Sequence, residues 1–266
     1  MALWLLNHLS TLALTLLIVG GCVLATLAGS LLVRRRLPRL AEGEHNETVG
    51  LVLGMFGAIY GIILAFVIVT LWTQMENTQA VVATEATDAA IIVRDVAAFP
   101  DEPETRVKKA VGHYVHHVVE AQWPEMRDGM KTLSSGEQLQ GVYNALQSYE
   151  PVTEMQKIYY AEAADSLDDM ASQRRARLTM AGQELPLLLQ VLVFGGAVVI
   201  LPLTFLYGTR SRKMQLLFVA AVAGLIGFSL LLVVVLDRPF AGDLSVSPEL
   251  FKQGKLEQFW NPAQQS

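Results

Sequence analysis

Cysteine occurs once in this chain of 266 residues, at Cys22, so no intrachain disulfide can form. Cys22 lies in an apolar run, where a lone thiol is most simply a small hydrophobe. Charge is scarce as well. Asp, Glu, Lys and Arg make up 17% of the residues, below the ~25% of ordinary soluble chains. Their balance is acidic, a net charge of −5, and a nucleic-acid partner would call for a basic surplus. Met1 to Ser10 contains no Lys or Arg, so the basic start of a secretion signal is missing. Also missing are a nucleophile–base constellation, a Gly-rich phosphate loop and a zinc-protease pattern. Neither enzymatic activity nor a cofactor is therefore expected. No alternating strand pattern and no 20–50-residue repeat appears.

What the chain has is apolar length. Four stretches stand out, about Leu9 to Val33, Val49 to Trp72, Leu185 to Tyr207 and Met214 to Leu236. Each is near the ~20 residues that cross ~30 Å of hydrocarbon. None carries a charge in its central part, as the cost of charge in a bilayer requires. The expected fold class is an all-α membrane protein with four transmembrane helices. They form two hairpins, residues 1–72 and 185–236, around a soluble helical insert, residues 73–184. A tail, 237–266, follows. Val19-Gly20-Gly21-Cys22 loosely resembles a lipoprotein cleavage box, but the apolar run continues to Val33, so an uncleaved helix is the expectation.

Arg34, Arg35, Arg36 and Arg39 follow the first span, and Arg210, Arg212 and Lys213 follow the third. Positive short loops stay in the cytoplasm. Both termini and the insert are thus expected outside, in an inner (cell) membrane whose lipid is the first partner. Arg174, Arg175 and Arg177, just before the third span, are the counter-signal. Trp4 and Trp72 suit one interface and Tyr207 the other.

No Pro or Gly interrupts Ile62 to Phe99, so the second span is expected to continue as a helix into the insert. Met75, Val82, Ala86, Ala89, Val93 and Val96, with Gln79 filling one step, form a coiled-coil-like seam. Pro100 and Pro103 end that helix and begin the next, which is expected to stop before Pro124. Ser134 with Glu137, and Thr153 with Gln156, are capping-box patterns for two more helices. The last of these is expected to run straight into the third span. In the tail, Ser247-Pro248-Glu249 predicts a short amphipathic helix using Leu250, Phe251, Leu256 and Trp260.

Gly50, Gly54, Gly57 and Gly61 line one stripe of the second span, a helix-packing pattern. It suits packing inside the chain's own bundle, packing between subunits, or a widened pore. His113, His116, His117 and Glu120 share the polar face of an insert helix. That face is open to three readings, a solvated surface, a pH sensor or a metal site. Glu42, Glu44, His45 and Glu47 more simply balance the neighbouring arginines than bind metal. Gln190 and Pro202 interrupt the third span, and Pro202 should kink it.

Asn46-x-x-x-Gly50, Ile59-Tyr60-Gly61-x-x-x-Ala65-Phe66, Trp123-Pro124-x-Met126 and Asp237-Arg238-Pro239-Phe240-x-Gly242 together resemble the bestrophin-like family of membrane proteins, a domain of unknown function. Residues 67–77 also look like the end of the second helix of true bestrophins, which are pentameric anion channels with a similar hairpin–insert–hairpin order. The resemblance implies a homo-oligomer and places Met55, Ile59 and Ile63 at the apolar constriction of a pore. Bulky aromatics typical of that constriction are absent, and so is an acidic calcium clasp. Bestrophins keep their insert in the cytosol, against the charge rule. The expected function is an oligomeric ion channel for small anions. The alternative is a membrane-anchored sensor or scaffold whose insert binds a partner without conduction.

Overall fold

The computed structural model describes residues 2–36, 46–130, 136–209 and 211–261. Among them the regular structure is entirely helical. The arginine loop beyond Arg36, the acidic cluster from Glu42 to His45, Ser134 and Arg210 lie outside the described residues. Four helical runs are long and apolar enough to cross a membrane, Thr11–Arg36, Asn46–Ala98, Leu187–Leu206 and Arg212–Leu236. The chain divides into two compact units. Unit one holds Met1–Gln74, Glu184–Arg238 and Gly242–Leu244; unit two holds Met75–Gln183, Pro239–Ala241 and Ser245–Ser266.

Unit one begins with α1 (Ala2–His8). Ser10 then caps α2 (Thr11–Thr15), its side chain accepting from the Ala13 N–H. A π turn, Leu16–Gly20, leads into α3 (Gly21–Arg36). The expected first span, about Leu9 to Val33, is this run from Thr11 to Arg36, bulged at the π turn, and α1 is a separate short helix before the break at Leu9–Ser10. α4 (Asn46–Asp95) is one 50-residue helix; only its part up to about Trp72 is apolar throughout, and the rest enters unit two.

In unit two, α4 buries Thr78, Val82, Glu85, Ala86, Ala89, Ile92 and Val93, and the 3-10 turn after it, Val96–Ala98, buries Val96. Gln79, placed in the seam by spacing, is exposed, and Thr78 takes the step instead. The seam drifts because 3.6 residues per turn does not match a strict heptad. α5 (Asp101–His117) does not stop before Pro124. A π turn, Val118–Gln122, carries it into α6 (Trp123–Arg127), with Pro124 in the first turn. The wider turn absorbs the clash that a proline ring makes with the carbonyl four residues earlier. The chain leaves α6 through Gly129 at φ +69°, a left-handed position that glycine adopts without steric cost.

α7 (Glu137–Gln147) starts behind Gly136, with no side-chain cap. At α8 (Glu154–Ala181) the expected box is complete: Thr153 accepts from Gln156 N–H and Gln156 reaches back to the Thr153 backbone. α8 does not run into the next span. Gly182 caps it, and residues 182–186 separate it from α9 (Leu187–Leu206), because Pro186 donates no N–H. α9 keeps its helix through Pro202, and α10 (Arg212–Leu236) completes unit one. The tail forms two 3-10 segments, Pro248–Lys252 and Gly254–Phe259, in place of one α-helix. Phe251 and Leu256 bury in the core of unit two, while Leu250 stays exposed. Gly254 at φ +60° breaks the run between them.

Candidate functional site

The membrane part of α4 packs on its own unit along one edge only. Tyr60, Leu64, Val67 and Leu71 are buried there, against Val193, Ala197, Ile200 and Ile226. Tyr60 donates to the Val193 carbonyl at 2.6 Å, and its ring lies where a Cβ on Gly196 would sit, 2.3 Å away. At 100° per residue the glycine stripe is turned about 80° from this edge. A Cβ on Gly54, Gly57 or Gly61 would meet nothing within 4 Å, and one on Gly50 would meet only the Tyr207 ring at 3.5 Å. The stripe therefore does no close packing among the described residues. It lines a groove of about 710 Å³ with Phe218, Val222 and Leu225 of α10. Met55, Ile59 and Ile63 lie about 110° to the other side of the buried edge. Met55 and Ile59 are exposed and Ile63 is half-buried.

Close helix contact in unit one is made by other glycines. Gly227 of α10 faces Val19 and Cys22, with a would-be Cβ 3.2 Å from the Val19 Cα. Gly29 meets the Phe205 ring at 2.8 Å. Small residues there let helix backbones approach where the bilayer offers no hydrophobic drive. Spacing alone did not single them out, since neither belongs to a repeated stripe.

Motif residues hold the loops of unit one. Asn46 clamps Gly208 from both sides, donating to its carbonyl at 2.6 Å and accepting its N–H at 2.8 Å. Asp237 accepts the Leu185 N–H at 2.6 Å, and Arg238 pairs with Glu184 at 2.8 Å. Burial pushes the Asp237 carboxyl up, against the pull of the Leu185 N–H and Arg238. Gly242, at φ +81°, donates its N–H to Asn7, and the next residue, Asp243, accepts from both the backbone and the hydroxyl of Thr11.

In unit two the remaining motifs converge on a charge that sequence reasoning did not assign to the core. Arg177 of α8 is fully buried. It donates to both oxygens of the equally buried Glu85, at 2.6 and 2.9 Å. It also donates to Gln122 at 2.8 Å and to the Met126 sulfur at 3.4 Å, and lies 5.8 Å from the Trp123 ring centre. Tyr114 donates to Glu85 at 2.5 Å. Burial, then the Glu85 carboxylate, pushes the Tyr114 phenol well above its usual range. Burial opposes the Arg177 charge, and Glu85 and Tyr114 together more than offset it. Phe240 meets Trp123 edge-on at 5.5 Å, so Trp123-Pro124-x-Met126 and the Pro239-Phe240 pair belong to one buried cluster. Arg174 is buried too. The one available signal was Glu85 itself, an acid on the seam side of α4 between Val82 and Ala89.

The histidine face is divided. His113 is exposed, and His116 is half-buried beneath the tail. The His116 Nδ1 faces Glu120 at 3.2 Å, its Nε2 faces the Phe259 carbonyl at 2.9 Å, and its ring lies 4.1 Å from that of Trp260. Both ring nitrogens thus face acceptors. His117 is partly buried on the same helix. Among the described residues no group of His, Cys, Asp and Glu is disposed to hold a metal ion.

No curated protein and no solved structure matches this chain. A family model does, that of the bestrophin-like domain, over residues 20–251. The match takes in the Asn46 clamp, the buried Trp123 cluster and the Asp237–Phe240 motif, and with four helices apolar enough to span a bilayer it makes this chain a membrane protein of the bestrophin-like family.

Proposed function

We propose that the protein is a homo-oligomeric membrane channel for small anions, built from two transmembrane hairpins around a soluble helical insert. The observation that carries this reading is the solitary exposure of α4. One narrow edge is buried, while Gly54, Gly57 and Gly61 on one side meet no neighbour among the described residues, and Met55 and Ile59 on the other are exposed. A helix with two such faces suits a ring, in which one face packs on a neighbouring copy and the other lines a shared path. The resemblance to bestrophins, which conduct anions, favours Met55, Ile59 and Ile63 as the lining. These side chains are apolar, so conduction would be gated by wetting and dewetting of a narrow passage. The role is non-enzymatic and needs no cofactor.

The charge rule favours an inner-membrane orientation with the insert outside. Its counter-signal is weakened by the burial of Arg174 and Arg177, which serve the core of unit two rather than a membrane surface. A competing reading, a membrane-anchored scaffold, gains support from the scarcity of polar side chains in the spans.

The test combines particle symmetry in detergent with chloride flux from reconstituted vesicles. Rotationally symmetric particles and a flux changed by Ile59→Ala support the channel. Monomeric particles would sink it, and symmetric particles without flux would leave the scaffold.

A further inference from the structure

We propose that the cavity between α5 and the C-terminal 3-10 segment in unit two is a binding site for an oxyanion, the phosphate group of a small solute or of a lipid headgroup. The cavity has a volume of about 510 Å³. Thr105, Lys108, Lys109, His113 and His116 line it from α5, and Gln258 and Phe259 close it from the tail. No carboxylate is among the described lining residues, although acids outnumber bases in the chain, 25 to 20.

The basic lining residues are not equally committed. Lys108 is tied to Glu104 at 2.5 Å, and His116 to Glu120 and the Phe259 carbonyl. Lys109 and His113 have no partner among the described residues. They stand one helical turn apart, so both reach the same space, as residues four apart on a helix do. The Thr105 hydroxyl lies one turn before Lys109. Two nitrogen donors and a hydroxyl along one helix face match the several acceptor oxygens of a phosphate, which charged donors hold most strongly. The volume exceeds a bare phosphate and falls in the range of small-molecule sites, roughly 300–1,000 Å³. The Phe259 ring supplies an apolar wall for the rest of the ligand.

That wall is seated on Gly112. A Cβ there would come 2.9 Å from the Phe259 ring, so the missing side chain lets the tail lie close enough to close the cavity. The same Lys109 and His113 border a second depression that adds Arg106, itself bound to Glu102 and Ser148. The inference is independent of conduction, because every residue in it belongs to the soluble unit.

The experiment uses the full chain in nanodiscs of neutral lipid at low salt, titrated with inorganic pyrophosphate by calorimetry. Saturable binding is expected, weakened about tenfold or more in the double variant Lys109→Gln/His113→Gln, since the Lys109 charge and two hydrogen bonds are lost. Both residues are exposed, so the variant should keep the wild-type melting temperature. Lys157→Gln, an equal loss of charge outside the cavity, should bind as the wild type does. A second arm adds phosphatidic acid to the nanodiscs. Loss of pyrophosphate binding there, restored by removing the lipid, assigns the site to a headgroup; unchanged binding assigns it to a soluble ligand. The proposal is overturned if the wild type binds no pyrophosphate saturably in neutral nanodiscs, or if the double variant binds as tightly as Lys157→Gln.

Discussion

Arg177 shows what a single side chain does in this molecule. Its guanidinium is out of water, and it is tolerable only because Glu85, Gln122 and Met126 satisfy it from three other segments. Breaking such a pair leaves an uncompensated buried charge, at a cost of about 3–5 kcal/mol. Arg177→Met should therefore lower the melting temperature of the purified protein sharply. The double variant Glu85→Gln/Arg177→Met removes both charges and should recover much of that loss. If the double variant melts no higher than the single one, the pair contributes nothing beyond its separate parts, which a thermal melt of both proteins decides. Asn46 is a smaller case of the same logic. Its amide both donates to and accepts from Gly208, a reciprocal fit that Asp, lacking a donor, cannot reproduce.

At the scale of helices, two kinds of glycine separate. Gly227 is where α10 meets the Val19–Cys22 turn, and a side chain there would push two backbones apart. Gly57 faces a groove with room for one. Gly227→Leu should destabilise each chain by overpacking, on the order of 1–3 kcal/mol, with a lower melting temperature whatever the oligomeric state. Gly57→Leu should leave the fold of a single chain intact and instead change particle size, because in the proposed assembly the stripe packs on another copy. Size-exclusion and melting measurements on both variants separate the roles. A Gly57→Leu protein with unchanged size and melting temperature would remove the stripe from the assembly argument. Pro124 makes the complementary point about helix ends. A proline expected to terminate α5 is carried by a π turn, because the burial of Trp123 and Met126 beyond it outweighs one lost hydrogen bond.

For the whole molecule the property to measure is the side of the membrane on which unit two lies. Seven basic residues in two short loops favour an outward insert, and bestrophins place theirs inward. Single cysteines, Asp101→Cys and Arg212→Cys, each in a Cys22→Ala background, answer this with an impermeant thiol reagent on intact cells. Labelling at 101 and protection at 212 is the expected pattern. The opposite pattern would reverse the orientation and leave the helices unchanged, since nothing in their packing depends on it.

Some of this was settled by the sequence alone. The four spans follow from length and hydropathy, which the bilayer reads segment by segment. The Thr153 capping box and the long continuation of α4 are equally local, set by neighbours a few residues apart. The bestrophin-like motifs were visible as strings, but their purpose was not. Only the tertiary structure put Phe240 on Trp123, closed Asn46 onto Gly208 and brought Arg177 to Glu85, 92 positions away. Periodicity reports which face of a helix is apolar, never what stands opposite. For that reason the regular glycine stripe looked like the packing surface, while the irregular Gly227 and Gly196 turned out to make the close contacts within the chain.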